Sequence, residues 1–311
     1  MTCGSFFSKL GHGTNVTTES KYIHNALKQV HHKAPCSSVY GFSISGLATY
    51  MQFPEMNFCI DMGACPLSAT PLDHVFLTHA HGDHARCLMR HHSLRKMMGV
   101  ERDSVYYIPE SIFEGAKDWI RAEAMFEGVS EAKFRYPEIV AVRAGERIPL
   151  RYRKDMVLEP FEVKHSVPAM GGTLYLHKRK LKDEFLGKDA SEIIALRQAG
   201  VEITREVFEP QMSFMGDCLG ESLLENRSVF DSKVLVTECT FIAPEDEPMS
   251  RKKGHTHLDH IVHALNELGD EVKCEQIILT HFSMKYSEKY IRETIAKEIP
   301  EKFREKVVAF V

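Results

Sequence analysis

Thr78-His79-Ala80-His81-Gly82-Asp83-His84 places three imidazoles and a carboxylate within six positions, directly after the short apolar run Asp73–His79. That ligand set suits a borderline metal such as zinc. In a tight loop the alternating side chains His79 and His81 can aim at one ion, and Asp83 and His84, one turn further on, can reach a second. Histidines scattered by chance over a solvated loop would rarely fall into this spacing.

The rest of the chain supplies further ligands by one recurring device. His165 ends Phe161-Glu162-Val163-Lys164, Asp217 ends Ser213-Phe214-Met215-Gly216, and His281 ends Ile277-Ile278-Leu279-Thr280. In each case a short buried strand delivers a ligand residue to one rim of a sheet, and Gly216 permits the tight turn before Asp217. With the first motif they fill two metal sites of three or four protein ligands each. The other histidines fit worse. His31, His32 and His91, His92 are adjacent pairs, which point in different directions, and His257, His260 and His263 read as a partly buried helix face.

The 311 residues are 43% hydrophobic and 26% charged, which calls for a packed core. A net charge of −4 excludes a globally basic coat, so a polyanion would have to use a local patch. The eight cysteines form no Cys-x-x-Cys pair and read as reduced packing residues. No apolar run is long enough for a membrane span, and the first residues carry no signal-peptide core, so the chain is expected inside the cell. Cytoplasm is the default, with nucleus or organelle open.

Strand-like runs at Tyr40–Phe53 and Asn57–Met62 flank a Pro-Glu-Met turn. Further strands are expected at Val105–Pro109, Glu138–Arg143, Arg147–Tyr152, Val157–His165, Gly172–His177, Gln211–Gly216, Lys233–Glu238, Gln276–His281 and Lys306–Val311. Helices are expected over Tyr22–Val30, His84–Met98, Glu110–Glu127, Lys188–Ala199, Leu258–Leu268 and Ser287–Ile299. Hairpins early and alternation later predict an α+β fold, two sheets face to face with helices outside, a four-layer αββα sandwich. One such domain over 38–311 follows a polar extension over 1–37.

These motifs together resemble the metallo-β-lactamase superfamily. Thr280-His281-Phe282-Ser283-Met284-Lys285-Tyr286, Gly216-Asp217, Glu238-Cys239-Thr240-Phe241 and Gly254-His255 are similar to motifs of ribonuclease Z, in its short plant-like form. The resemblance implies an endoribonuclease that removes 3′ trailers from tRNA precursors and leaves a tRNA 3′-hydroxyl. It implies two Zn2+ per chain, with Mn2+ or Fe2+ compatible with the same ligand types. His79, His81 and His165 would hold one ion, Asp83, His84 and His281 the other, and Asp217 would bridge them. Hydroxide generated there would attack phosphorus, Asp83 would orient it, and His255, oriented by Glu238, would protonate the leaving oxygen. A homodimer is the family expectation.

The chain departs from the family pattern in places. Cys218 follows Gly216-Asp217 where Thr is usual, Lys285 stands where Arg is usual, and Ser43-Ile44-Ser45-Gly46 and Asp61-Met62-Gly63-Ala64-Cys65 replace glycine-rich loops. Another dinuclear-metal hydrolase, acting on small or cyclic phosphodiesters or other esters, therefore stays open at this point. For tRNA, Lys178, Arg179, Lys180 and Lys182, with Ser283 and Lys285 nearer the metals, are the candidate contacts. Arg251-Lys252-Lys253 is a second basic cluster.

Overall fold

Strands β4 (Phe58–Ile60), β5 (His74–Phe76), β6 (Val105–Pro109) and β12 (Val234–Glu238) are buried at every position. Strands covered on both faces read this way, as continuous apolar runs instead of alternation. The computed structural model describes residues 29–311. In the first sheet β1 (Val30–Lys33), β2 (Ser38–Ser45), β3 (Ala48–Phe53), β4, β5, β6 and β7 (Glu138–Val142) lie in that order, and β14 (Phe282–Ser283) joins β2. The second sheet runs β15 (Val307–Ala309), β13 (Gln276–Thr280), β12, β11 (Thr204–Phe214), β10 (Ala169–Leu181), β9 (Arg153–Val163) and β8 (Ile148–Leu150).

Three apolar clusters define four layers. Between the sheets, Met51, Phe53, Phe58 and Phe76 of the first meet Leu158, Leu174, Phe214 and Val236 of the second. Phe214 is the central contact, with its ring 5.0 Å from Phe76 and 5.9 Å from Phe58. On the outer face of the first sheet lie Leu88 and Met89 of helix Leu88–Met97 and Ile120 of helix Glu110–Phe126. Leu258, Ile261 and Leu265 of helix Leu258–Leu268 and Ile291 and Ile295 of helix Glu288–Glu298 cover the second. Their i, i+3, i+4 spacing gives each helix one apolar stripe, which is enough to cover a sheet face and leave the other side polar. The αββα sandwich expected from the sequence is the fold.

Several local expectations change. Tyr40–Phe53 is two strands, because Gly46 turns the chain at a φ of +71° and Leu47 N–H bonds the Ile44 carbonyl at 3.0 Å. The helix expected over His84–Met98 breaks into Gly82–Ala85 and Leu88–Met97. The strand over Gly172–His177 continues to Leu181, and its partner β11 begins at Thr204, so Lys178, Arg179 and Lys180 lie on the strand and Lys182 just after it. Short helices Glu221–Glu225 and Glu247–Lys253 have too few residues to show a period in the sequence. Most of Tyr22–Val30 lies outside the described residues. Val30 opens an edge strand whose four residues pair with Ser38–Gly41, so the sheet begins within the polar segment.

Phe214 joins the sheets and stands shortly before the Gly216-Asp217 turn. Phe214→Ala is expected to lower stability by about 3–5 kcal/mol, the usual cost of a buried aromatic deletion. Denaturant unfolding followed by circular dichroism measures it.

Candidate metal centre

The rim where the motifs meet is built from the C-terminal ends of strands. β4, β5 and β6 run parallel, as do β11, β12 and β13. Ligand sites in α/β sheets favour such ends, because side chains there leave the sheet without breaking its ladder. β5 leads into His79–His84, β9 into His165, β11 into Asp217, β12 into Glu238 and β13 into His281. Gly216, at φ +65°, lets Asp217 reach inward, since a Cβ there would stand 2.8 Å from Thr78 Cβ. His281 itself adopts a φ of +61°, a strained conformation for a residue with a Cβ and of a kind that clusters at functional sites.

Two ligand groups result. His79, His81, His165 and Asp217 form one, and Asp83, His84 and His281 the other, each with its donor atoms within 4.8 Å of one another. In the first, His81 Nδ1 lies 3.0 Å from His79 Nε2 and 3.3 Å from His165 Nε2. In the second, His84 Nε2 lies 3.2 Å from His281 Nε2, and Asp83 Oδ2 is 3.7 Å from the latter. Asp217 touches both, 3.8 Å from His79 Nε2 and 3.3 Å from His84 Nε2.

The direction of the protons suits this cluster to cations. His84 Nδ1 donates to Asp61 Oδ2 at 2.7 Å, His165 Nδ1 to the Gly254 carbonyl at 2.7 Å. Thr240 Oγ1 donates to Glu238, so His281 Nδ1 donates to that hydroxyl at 2.9 Å. Thr78 Oγ1 likewise donates to Asp61, which leaves it to accept from His79 Nδ1 at 3.0 Å. In all four rings the outward nitrogen holds the proton and Nε2 turns a lone pair inward. Metal-ligating histidines are oriented in this way by their outer partners. A third grouping of Asp217, His255 and His281 also falls within reach. There, His255 and His281 face Asp217 at 3.7 and 3.5 Å through Nδ1, the nitrogens whose protons Glu238 and Thr240 accept.

The electrostatics agree. Burial works against the charge of Asp217, but His281 and His84 override it and hold the carboxyl well below its usual range. His84 is the exception: Asp217 and Asp61 outweigh its burial and push it up, so with no cation beside it this ring attracts a second proton at the position a cation would take. Burial lowers His79 and His165, which favours neutral rings with free lone pairs. A buried carboxylate among imidazoles calls for positive charge, and divalent cations fit the donor set.

His255 and Glu238 form a separate pair beside the cluster. His255 Nδ1 donates to Glu238 Oε1 at 2.9 Å, and its ring centroid lies 5.2 Å from that of His165. Burial would lower the imidazole, yet the charge and hydrogen bond of Glu238 raise it to about 9. Glu238 also accepts from Cys218 N–H at 2.8 Å and from Thr240 N–H at 3.2 Å, so this buried carboxylate is held by several donors.

The remaining sequence candidates lie outside the two ligand groups. Lys178 and Lys180 on β10 both pair with Glu209 of β11, at 2.7 and 2.5 Å, and Arg179 pairs with Glu202. Lys182 has no ion pair among the described residues. Ser283 donates its backbone N–H to Thr240 at 3.0 Å, and Lys285 is bound to Asp246. Arg251 is taken by Glu221 and Glu247. His257 caps helix Leu258–Leu268, its Nδ1 accepting from Asp259 N–H and its Nε2 bonding the Ala243 carbonyl, while His263 is exposed. The described cysteines are free thiols.

Asp61 was not among the sequence candidates, although it follows the apolar run Phe58-Cys59-Ile60 just as the others follow theirs. It accepts from Thr78 N–H, Thr78 Oγ1 and His84 Nδ1. Gly46 was missed as well. Its N–H donates to Asp83 Oδ2 at 2.8 Å and fixes that carboxylate from the β2–β3 turn. Asp61→Ala is expected to weaken metal binding about 10- to 100-fold, the usual effect of losing a ligand's outer partner. Chelator competition measures it, and circular dichroism checks that the fold persists.

Comparison with known proteins agrees with this geometry. A family model described as a beta-lactamase superfamily domain matches residues 62–282. The tRNase Z TRZ1 of Arabidopsis thaliana is 30% identical over 83% of this chain and 89% of its own. The chloroplastic tRNase Z TRZ2 of the same plant is 28% identical over 94% of this chain and 80% of its own. Among solved structures, the short form of human tRNase Z superposes with a TM-score of 0.52 at 14% identity, covering 87% of this chain and 95% of that one. The chain thus belongs to the tRNase Z family, within the metallo-β-lactamase superfamily.

Proposed function

We propose that this chain cuts 3′ trailers from tRNA precursors and leaves a 3′-hydroxyl on the tRNA. The observation that carries the reading is the His255–Glu238 pair set against the two ligand groups, in a chain that spans most of the length of its tRNase Z relatives. A hydrolase of phosphodiesters needs charge at phosphorus and a proton for the departing oxygen, and the two features answer those needs separately.

His79, His81, His165 and Asp217 would hold one divalent cation, and Asp83, His84 and His281, with Asp217, a second. Zn2+ is the first choice for this nitrogen-rich set, with Mn2+ or Fe2+ compatible. When bound, the pair would neutralise phosphoryl oxygens and make a water acidic enough to react near neutral pH. The chain's own groups do the rest. Asp83, already fixed by Gly46 N–H, presents carboxylate oxygen to the attacking water and orients it. His255, with its Nδ1–H on Glu238, turns Nε2–H to the leaving 3′-oxygen and gives up that proton. Glu238 steadies the imidazolium beforehand.

The precursor extends well beyond the reacting phosphate, and its backbone needs cationic contacts. Lys178, Arg179, Lys180 and Lys182 on the β10–β11 hairpin, with Ser283 and Lys285 at the rim, fill this role. The hairpin's ion pairs are exposed, and such pairs are worth only about 0–1 kcal/mol each, so phosphates can replace the carboxylates at little cost. In this reading the chain works as a homodimer inside the cell, in cytoplasm, nucleus or organelle. No helix among the described residues is long and apolar enough to cross a membrane.

Zinc-loaded protein should cut a 3′-extended tRNA once, just after the discriminator base. His81→Ala should abolish the cut, and His255→Ala should lower kcat by about 10²- to 10⁴-fold with metal content retained, the usual yield of a general acid. Mapping the product to the nucleotide tests this. Hydrolysis of a small phosphodiester with the precursor left intact would sink the tRNA reading and assign the centre to a small-substrate esterase.

A further inference from the structure

Asp246 has no part in the chemistry above, yet its carboxylate is buried at the rim of the centre with both oxygens engaged. Oδ1 accepts from Lys285 Nζ at 2.5 Å, and Oδ2 accepts from the hydroxyl of Tyr286. That phenol oxygen in turn accepts from the N–H groups of Ile242 and Ala243, at 3.2 and 3.3 Å. One side chain therefore ties the segment after β12, which carries Phe241, to the segment after His281, which carries Lys285. The Lys285 ammonium lies 5.7 Å from the centroid of Phe241 and 5.1 Å from that of Tyr286. Phe241 in turn has its ring centroid 6.3 Å from that of His255. The lysine is thus placed one aromatic ring beyond the residue that faces the leaving oxygen, and about half of its side chain is open to solvent.

We propose that Asp246 is a positioning residue for the RNA backbone: it holds the Lys285 ammonium at a fixed point on the rim, where the phosphate next to the cut can accept its remaining N–H donors. This rests on the reading of the chain as a tRNA-processing nuclease. A lysine is a compact point charge on a flexible stem, and unlike a guanidinium it has no planar fork to set its own direction. Of its three donors one is committed to Asp246, and two remain for an anion. The buried carboxylate thereby supplies the direction that the side chain lacks. Aromatic faces on two sides limit the rest of its motion. Asp246 does not remove Lys285 as a contact, because its two oxygens are taken up by one ammonium N–H and by the phenol, and the other two ammonium donors are left for an anion.

The test is a cycle of Asp246→Asn, Lys285→Ala and the double variant. It uses metal-loaded protein and a 3′-extended tRNA, with kcat and KM read separately. Fluorescence anisotropy on a precursor with a non-cleavable linkage gives Kd across a salt series. Asp246→Asn should raise Kd and KM about three- to tenfold, and should add nothing once Lys285 is already alanine, as coupled neighbours behave. It should flatten the dependence of log Kd on log salt in the direction of Lys285→Ala, by up to one phosphate contact. A group that merely stabilised the loop would weaken binding equally in both backgrounds and lower Tm in proportion. Should Asp246→Asn fail to fold, Tyr286→Phe, which frees the second oxygen, reads the same coupling with a smaller effect. Equal losses in both backgrounds, or tighter binding by Asp246→Asn, overturn the inference alone. Wild-type protein that neither binds nor cuts the precursor overturns the nuclease reading and this inference together.

Discussion

Asp217 is buried at the meeting point of the two ligand groups, and its ion-pair partners among the described residues are imidazoles, with no lysine or arginine among them. A charge placed there without compensation would be costly, so the rim must concentrate positive charge around it. The surrounding architecture follows from that requirement. Histidines arrive from β5, β9 and β13, and Asp61 and Asp83 add more negative charge on the same side. Protons alone cannot satisfy every ring at once, because four of the outward nitrogens already carry theirs and the inward ones face each other at distances of 3.0–3.3 Å. Cations held by those lone pairs would resolve the conflict, and the same charge would serve a phosphodiester under attack.

The sandwich is what makes such a cluster affordable. Parallel strands buried on both faces end at one rim, and the apolar seam around Phe214 fixes the two sheets against one another. Ligands from both sheets therefore meet with little freedom to spread. His281 shows the tension: its positive φ is tolerated because β13 holds Thr280 on one side and Ser43 accepts the His281 N–H at 3.1 Å on the other.

These constraints also decide what could be read from the sequence. The residues on strand ends were legible because each stands after a short apolar run that can only be a buried strand, and because chemistry of that kind is rare in such a place. Asp61 obeyed the same grammar and was overlooked, since its loop departs from the family pattern and a single carboxylate after a strand carries no signature. Gly46 was hidden for a different reason. Tyr40–Phe53 has no proline or asparagine at the turn, and only a glycine's left-handed backbone separates β2 from β3. Boundaries of β10 and β11 were missed because Lys178 to Lys180 looks like solvated loop, whereas pairing with Glu209 on β11 and Glu202 just before it makes charged residues compatible with a strand.

The difference between the two kinds of residue is physical. A buried ligand must satisfy its neighbours' hydrogen bonds, so its surroundings specify it and its neighbours betray it. An exposed cation has water as an alternative partner, and nothing nearby requires its identity. Lys178, Arg179 and Lys180 could exchange carboxylates for phosphates without disturbing the fold, so neither sequence nor geometry singles them out as strongly as the imidazoles. Lys285 lies between these cases. About half of its side chain is open to solvent, but Asp246 beside it is buried with both oxygens bonded, so part of the constraint that marks the imidazole cluster reaches outward to the rim. Residues of this mixed kind are where structure adds most to sequence, because the exposed residue is ordinary and only its buried partner shows that its place is fixed.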